Sequence, residues 1–183
     1  NVDVAPEAII TTEAPASKTG TWLIDPVQDY TIAASGGDIT GTLLGTNLDS
    51  NNVTIQSAEG GTVGNGDIFV NDEVTWDTNT LTLSAYRNIE INQEMAATSG
   101  GGLALEFNQG DGGGDYTLNA PVNLPSNGSF STKDGSGGST VNYAIITDLG
   151  SAGSTTGSDL QGMQGNLSGD YVLGGDIEAS ATS

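Results

Sequence analysis

Two glycine–aspartate runs hold the residues best suited to chemistry. Gly60-Gly61-Thr62-Val63-Gly64-Asn65-Gly66-Asp67-Ile68 has the glycine and aspartate spacing of a calcium-binding nonapeptide. Ca²⁺ takes several hard oxygens from carboxylates and turn carbonyls, which such a corner supplies. Gly110-Asp111-Gly112-Gly113-Gly114-Asp115 is a second run of the kind. Asp67, Asp111 and Asp115 are therefore the metal candidates; no cofactor is assigned, and calcium is the ion these residues would suit. The competing reading is structural: the nonapeptide occurs once rather than in tandem, so a glycine-rich corner and a mobile loop explain the same letters.

Acid–base chemistry has less to build on. Paired Asp and Glu side chains could serve a glycosidase or lyase. A polysaccharide site of that kind also wants Lys or Arg on the same face, and the chain has only Lys18, Arg87 and Lys133. It has no histidine, the commonest general base and metal ligand, and no cysteine, so neither a thiolate site nor a disulfide framework exists. No catalytic residue is assigned and the chain is not expected to be an enzyme.

Three further residues invite a binding role. Trp22 and Trp76 present faces on which a sugar ring could stack, but burial in the core is the preferred reading for both. Arg87, between Tyr86 and Asn88, is read as a salt bridge or a fork to turn carbonyls, not as a ligand contact. Asn52-Val53-Thr54, Asn127-Gly128-Ser129 and Asn166-Leu167-Ser168 match the glycosylation sequon, as a chain rich in Ser, Thr and Asn does by chance.

The elements that must position these residues are short. Triplets of strand type return about every twenty residues: Tyr30-Thr31-Ile32, Val53-Thr54-Ile55, Leu81-Thr82-Leu83, Leu103-Ala104-Leu105, Val122-Asn123-Leu124 and Tyr143-Ala144-Ile145. A parallel series runs from Ile68-Phe69-Val70 to Ile89-Glu90-Ile91. Each triplet points two apolar side chains one way and a small or polar one the other, the period of a strand. Strands this short are stable only when stacked on equivalents. The expected fold is all-β, a right-handed parallel β-helix with rungs of about twenty residues and a core column containing Leu81, Leu83, Ile89, Ile91, Leu103 and Leu105. No window shows helical periodicity. Residues 109–115 and 131–139 are expected to bulge as loops. The organisation predicted is an extended arm or linker over 1–20, β-helix rungs over 21–147, and a Gly/Ser/Thr-rich connection opening further rungs over 148–183. Ile9 and Ile10 in the arm could pair with another subunit by strand addition.

Composition narrows the partners. The net charge of −20 repels nucleic acid and an anionic membrane surface alike. Asp25, Asp29, Asp38, Asp67, Asp72 and Asp115 are spread along the chain, which reads as solubility rather than a cation cluster. No apolar run reaches membrane-spanning length, so no membrane insertion is expected. The chain starts at Asn1 without methionine or signal peptide and is read as a processed product or an excised piece of a longer protein.

Three longer stretches carry a resemblance. They are Thr21-Trp22-Leu23-Ile24-Asp25-Pro26 with Asp29-Tyr30-Thr31-Ile32, Val74-Thr75-Trp76 with Leu81 to Asn92, and Ser158-Asp159-Leu160-Gln161-Gly162-Met163 with Asn166 to Ile177. They are similar to the repeat region of filamentous-haemagglutinin-like large exoproteins, adhesins exported by two-partner secretion. The resemblance covers residues 21–98 and 141–181, and the secretion-domain element is not part of it. It implies a right-handed parallel β-helix, an extracellular or bacterial cell-surface location, a stiff stalk for adhesion or biofilm, and no catalytic residues. Partners implied are neighbouring repeats of a longer chain and a host or surface glycan or protein receptor. The alternatives are a self-assembling extracellular filament stacking end to end through the arm, and a β-helix polysaccharide-active enzyme.

Overall fold

The computed structural model describes residues 2–14, 18–59 and 64–180. Its strands follow the alternation in the sequence. In Tyr30–Ile32 (β2), Ile68–Val70 (β4) and Ile89–Ile91 (β7) the outer two residues are buried and the middle one is partly exposed. These three and Tyr116–Leu118 (β10) form a four-stranded parallel sheet. Val74–Trp76 (β5), Met95–Ala97 (β8) and Val122–Asn123 (β11) form a three-stranded parallel sheet. The largest sheet has seven strands: Thr21–Ile24 (β1), Asn52–Gln56 (β3), Thr80–Ser84 (β6), Gly102–Phe107 (β9), Ser129–Asp134 (β12), Val141–Ile146 (β13) and Tyr171–Leu173 (β14).

Register stacks like on like. Val53, Leu81, Leu103 and Phe130 are direct partners, as are Ile55, Leu83 and Leu105, and Tyr30, Ile68, Ile89 and Tyr116. Neighbouring strands lie about 4.8 Å apart, so each such row is a continuous apolar column. The rows meet in one core, where Leu81, Leu83, Ile89, Ile91 and Leu105 are fully buried and Leu103 is 1 % exposed.

The expected all-β, right-handed parallel β-helix is corrected by three findings. The assembly is a mixed α/β arrangement of open sheets, not a closed solenoid. An α-helix, Gly41–Leu48 (α1), interrupts the strands. β12 and β13 pair antiparallel, and β14 then runs parallel to β13. Each departure has a local cause. α1 starts on an N-cap, Thr40, whose hydroxyl accepts from Leu43 N–H at 3.2 Å. It lies against β5 so closely that a Cβ at Gly41 would stand 1.9 Å from Glu73 O, and one at Gly45 2.1 Å from Thr75 O. Glycine is what allows the helix to cover the open edge of that sheet. The reversal after β12 is made by a turn over Gly135–Gly138, where Gly138 N–H donates to Gly135 O at 3.2 Å and Gly135 has φ +78.

The triplet series is corrected in the same way. Tyr30 does not stack on Val53, nor Val122 on Leu103, because these triplets lie in different sheets. The expected loop at 109–115 lies in the strand-free segment between β9 and β10. The one at 131–139 is shortened, since β12 continues through Asp134. Asp176 to Glu178 forms no strand.

Candidate functional site

The corner before the four-stranded sheet gathers most of the polar chemistry. Asp29, Asp67, Asn88 and Asp115 each immediately precede a strand of that sheet, so they share one corner in successive layers. Asp29 Oδ1 accepts from the N–H groups of Asn65 (2.7 Å) and Asp67 (2.9 Å). Asp67 Oδ1 accepts from Arg87 Nε and Asn88 N–H, both at 2.9 Å, while Arg87 Nη2 donates to Oδ2. Asn88 Oδ1 accepts from Asp115 N–H at 3.1 Å. The side chains of Asp29, Asp67 and Asn88 thus cap backbone donors that corners leave free.

Asp67 is 3 % exposed. Burial pushes its carboxyl up, but the guanidinium of Arg87 and the Asn88 N–H together outweigh this and hold it below the usual carboxylate range. Arg87 is raised in turn, first by the bond to Asp67. Of the two readings of Arg87, a salt bridge or a fork to turn carbonyls, the structure holds the salt bridge, to Asp67. Beside it lies a cleft of about 220 Å³ bordered by Glu59, Asn65, Tyr86, Arg87 and the backbone of Gly112 and Gly113. Tyr86 donates to Glu59 Oε2 at 3.1 Å, which raises the phenol pKa.

The structure does not bring the three calcium candidates together. Asp67 is neutralised by Arg87. Asp111, with φ +56, accepts from the Ser136 hydroxyl and N–H, which lower its pKa and tie the 108–115 loop to the β12–β13 turn. Asp115 accepts from Tyr116 N–H at 2.8 Å. Residues 60–63 of the nonapeptide lie outside the described residues. Among the described residues no group of three acidic side chains converges as a metal site would require.

Trp76 is 2 % exposed in the core, its Nε1 without a partner and tight against Gly101, where a Cβ would lie 2.3 Å away. Trp22 is half-buried and packs on the same core. Ile9 is 71 % exposed. The backbone of Ile10 is engaged within its own chain: its N–H donates to Asn47 Oδ1 (2.8 Å) and its carbonyl accepts from Asn51 Nδ2 (2.6 Å). Asn47 also donates to Ala8 O, and Asn51 accepts from Thr12 N–H, so two buried amides one helical turn apart grip alternate residues of the arm.

Sequence reasoning missed three polar features. One is that grip, signalled only by Asn at i and i+4. The second is a ladder in which Asn92 donates to Asn71 (2.8 Å) and Asn119 to Asn92 (2.7 Å), at the corner after the same sheet. Its signal was Asn three residues after Ile68, Ile89 and Tyr116. The third is Asp159, 8 % exposed, which accepts from Ser154 Oγ, Thr156 Oγ1 and Gly162 N–H and so closes the 148–165 segment on itself. Of the sequons, Asn52 sits on a strand and is bonded to Thr80 N–H, whereas Asn127 and Asn166 are exposed in turns. Among the described residues no helix is long and apolar enough to cross a membrane. No family model matches the chain, and no curated protein or solved structure matches it.

Proposed function

We propose that the chain is a structural segment of a secreted bacterial surface exoprotein of the filamentous-haemagglutinin-like type, a stiff spacer for adhesion or biofilm contacts. The observation that carries this is the row-by-row stacking of like residues, with Val53, Leu81 and Leu103 inside and Asn71, Asn92 and Asn119 outside. Such rows stiffen a chain through contacts between neighbouring layers and leave the loops free to vary. The three sequence stretches that resemble the exoproteins support the same reading: two of them include β1, β2, β5, β6 and β7. Its setting would be the bacterial cell surface or the space outside it, and its partners adjoining segments of a longer chain and a glycan or protein receptor. The grip of Asn47 and Asn51 takes one edge of the arm, at Ala8, Ile10 and Thr12, within the chain, which favours this over a filament joined by strand addition at that edge.

The test is bead adhesion to cells and glycan surfaces, paired with single-molecule pulling on the same chain. The expected results are a single high-force unfolding event and adhesion that disappears when the loops at 108–115 and 135–140 are replaced by Gly/Ser. Low-force, piecemeal extension would refute the spacer, and turnover of an acidic polysaccharide would replace it with an enzyme.

A further inference from the structure

The two ends of the stacked sheets are finished differently. At the amino-terminal end the chain covers its own edges. The turn after β2 brings Ile39 alongside Ile32, with Asp38 N–H donating to Thr31 O (2.8 Å) and Ala33 N–H to Ile39 O (2.9 Å). Val4 N–H of the arm then donates to Asp38 O at 2.9 Å, and α1 covers the edge of β5. At the other end β10 and β11 are the outermost strands of their sheets, and among the described residues no strand lies beyond them. Only the seven-stranded sheet continues, through β13 and β14, after which Gly174 O accepts the Leu124 N–H at 2.8 Å.

The core column records the difference. Ile32, Val70, Ile91 and Leu118 are successive partners; the first three are fully buried, and Leu118 is 47 % exposed. In the row Val74, Met95 and Val122 the last is again the one left partly exposed. The backbone is open in the same direction. Ile89 N–H donates to Asp115 O (3.0 Å) and Asn119 N–H to Ile91 O (2.8 Å), so by the alternation of a parallel ladder Tyr116 and Leu118 turn their peptide groups away from β7. Asp115 Oδ1 takes the Tyr116 N–H, which leaves Tyr116 O and Leu118 N–H without a strand partner. Charge changes at this layer too. Residues 30–56 carry Asp38 and Asp49, residues 68–84 carry Asp72, Glu73 and Asp77, and residues 89–107 carry Glu90, Glu94 and Glu106, but residues 116–132 hold no charged residue at all.

We propose that this end binds a second copy of the chain, the two β10 strands pairing antiparallel about a two-fold axis at Thr117. The symmetry sets Tyr116 of one copy opposite Leu118 of the other, so the free Leu118 N–H meets the free Tyr116 O twice, and the open column gains the apolar neighbour it lacks. Two chains of net charge −20 repel, and the uncharged layer is where they approach at least cost. Interface cores are depleted of Asp, Glu and Lys and enriched in Tyr, as this layer is. Because α1, the 33–39 turn and the arm cover the edges of β5 and β2 at the opposite end, the contact closes at two copies and does not propagate into a filament. The inference goes beyond the spacer reading and stands without it; applied to spacers, it joins two of them with their amino-terminal arms pointing apart.

The experiment measures the mass of the full chain by sedimentation equilibrium at concentrations up to about 1 mM, in high salt to screen the repulsion between like chains. Amide hydrogen exchange is followed across the same range. The expected result is a mass that rises from the 18.4 kDa of one chain to twice that and no further, with the Leu118 N–H protected only in the dimer. Leu118→Glu sets two carboxylates close together across the axis and should weaken dimerisation by at least about tenfold. Val27→Glu, at an exposed position between β1 and β2, should leave it unchanged. A mass that stays at one chain or keeps growing past two overturns the proposal. So does a dimer that Leu118→Glu does not weaken, or one whose Leu118 N–H exchanges as freely as in the monomer. The exchange measurement needs no substitution and decides the matter if Leu118→Glu fails to fold.

Discussion

Arg87→Ala is the substitution whose consequence can be worked furthest. It removes both guanidinium donors from Asp67 and leaves the Asn88 N–H on Oδ1, so Oδ2 is stranded on a residue that is 3 % exposed. Stranding one buried acceptor costs about 1–3 kcal/mol. The 3–5 kcal/mol seen for fully buried pairs overstates this case, because the Arg87 side chain is 41 % exposed and its end of the bond is screened by water. A loss of about 2 kcal/mol corresponds to a fall in melting temperature of about 4–8 °C for a chain of this length.

The loss has a pH signature. The folded-state carboxyl of Asp67 titrates below its unfolded value. Its contribution is therefore complete above the unfolded carboxylate value of about 4 and fades as the pH falls through the folded one. Thermal unfolding by circular dichroism at neutral pH and near pH 2 should show the gap between the unaltered chain and Arg87→Ala narrowing in acid. A double-mutant cycle with Asp67→Ala should give a coupling energy above about 0.5 kcal/mol. An equal gap at both pH values, or strictly additive losses, would refute the assignment of Arg87 as the counter-charge of a buried carboxylate.

Three other substitutions probe the remaining supports. Gly45→Ala places a Cβ where Thr75 O now stands at 2.1 Å and should cost about 1–3 kcal/mol by overpacking, read as a lower denaturation midpoint with unchanged slope. Leu81→Ala opens a void between Val53 and Leu103 and should cost about 2–5 kcal/mol in the same assay. Asp159→Ala removes the acceptor shared by Ser154, Thr156 and Gly162, and should raise hydrogen exchange across 148–165 while leaving β6 and β9 protected.

The strands and the core were legible in the sequence because a two-residue period has one physical meaning. Leu81, Leu83, Ile89, Ile91, Leu103 and Leu105 all lie in the core as their alternation requires, and Trp76 joins them. How the strands divide among sheets was not legible. Tyr30-Thr31-Ile32 and Val53-Thr54-Ile55 have the same pattern, and a step of about twenty residues does not reveal which sheet a strand enters. Tyr30 pairs instead with Ile68, the next strand of its own sheet, while Val53 belongs to the seven-stranded sheet. The helix was hidden by the two glycines that let it approach β5: Gly41 and Gly45 lower helix propensity and break the periodicity, and only the covered sheet edge explains them as packing.

The polar corners were the least legible part, and they explain how so acidic a chain folds. Most carboxylates here are not paired with cations, since the chain has three basic residues against 23 acidic ones. Asp29, Asp67 and Asp159 accept from backbone N–H groups instead. Each such bond spreads the charge onto peptide dipoles, satisfies a donor that a tight corner cannot pair within a sheet, and fixes the angle at which the next strand begins. Asparagine acts differently at Asn71, Asn92 and Asn119, whose uncharged side-chain amides bond one another from layer to layer. Aspartate in the buried corner and asparagine in the exposed ladder lead to opposite expectations in acid. Corners held by Asp67 and Asp159, both lowered below the ordinary carboxylate range, lose their contribution as the pH falls through their folded values. The asparagine ladder carries no titrating group and keeps its contribution. Acid should therefore loosen the Asp67 corner and the 148–165 segment before the Asn71–Asn92–Asn119 edge, an order that residue-resolved hydrogen exchange across an acid titration reads directly.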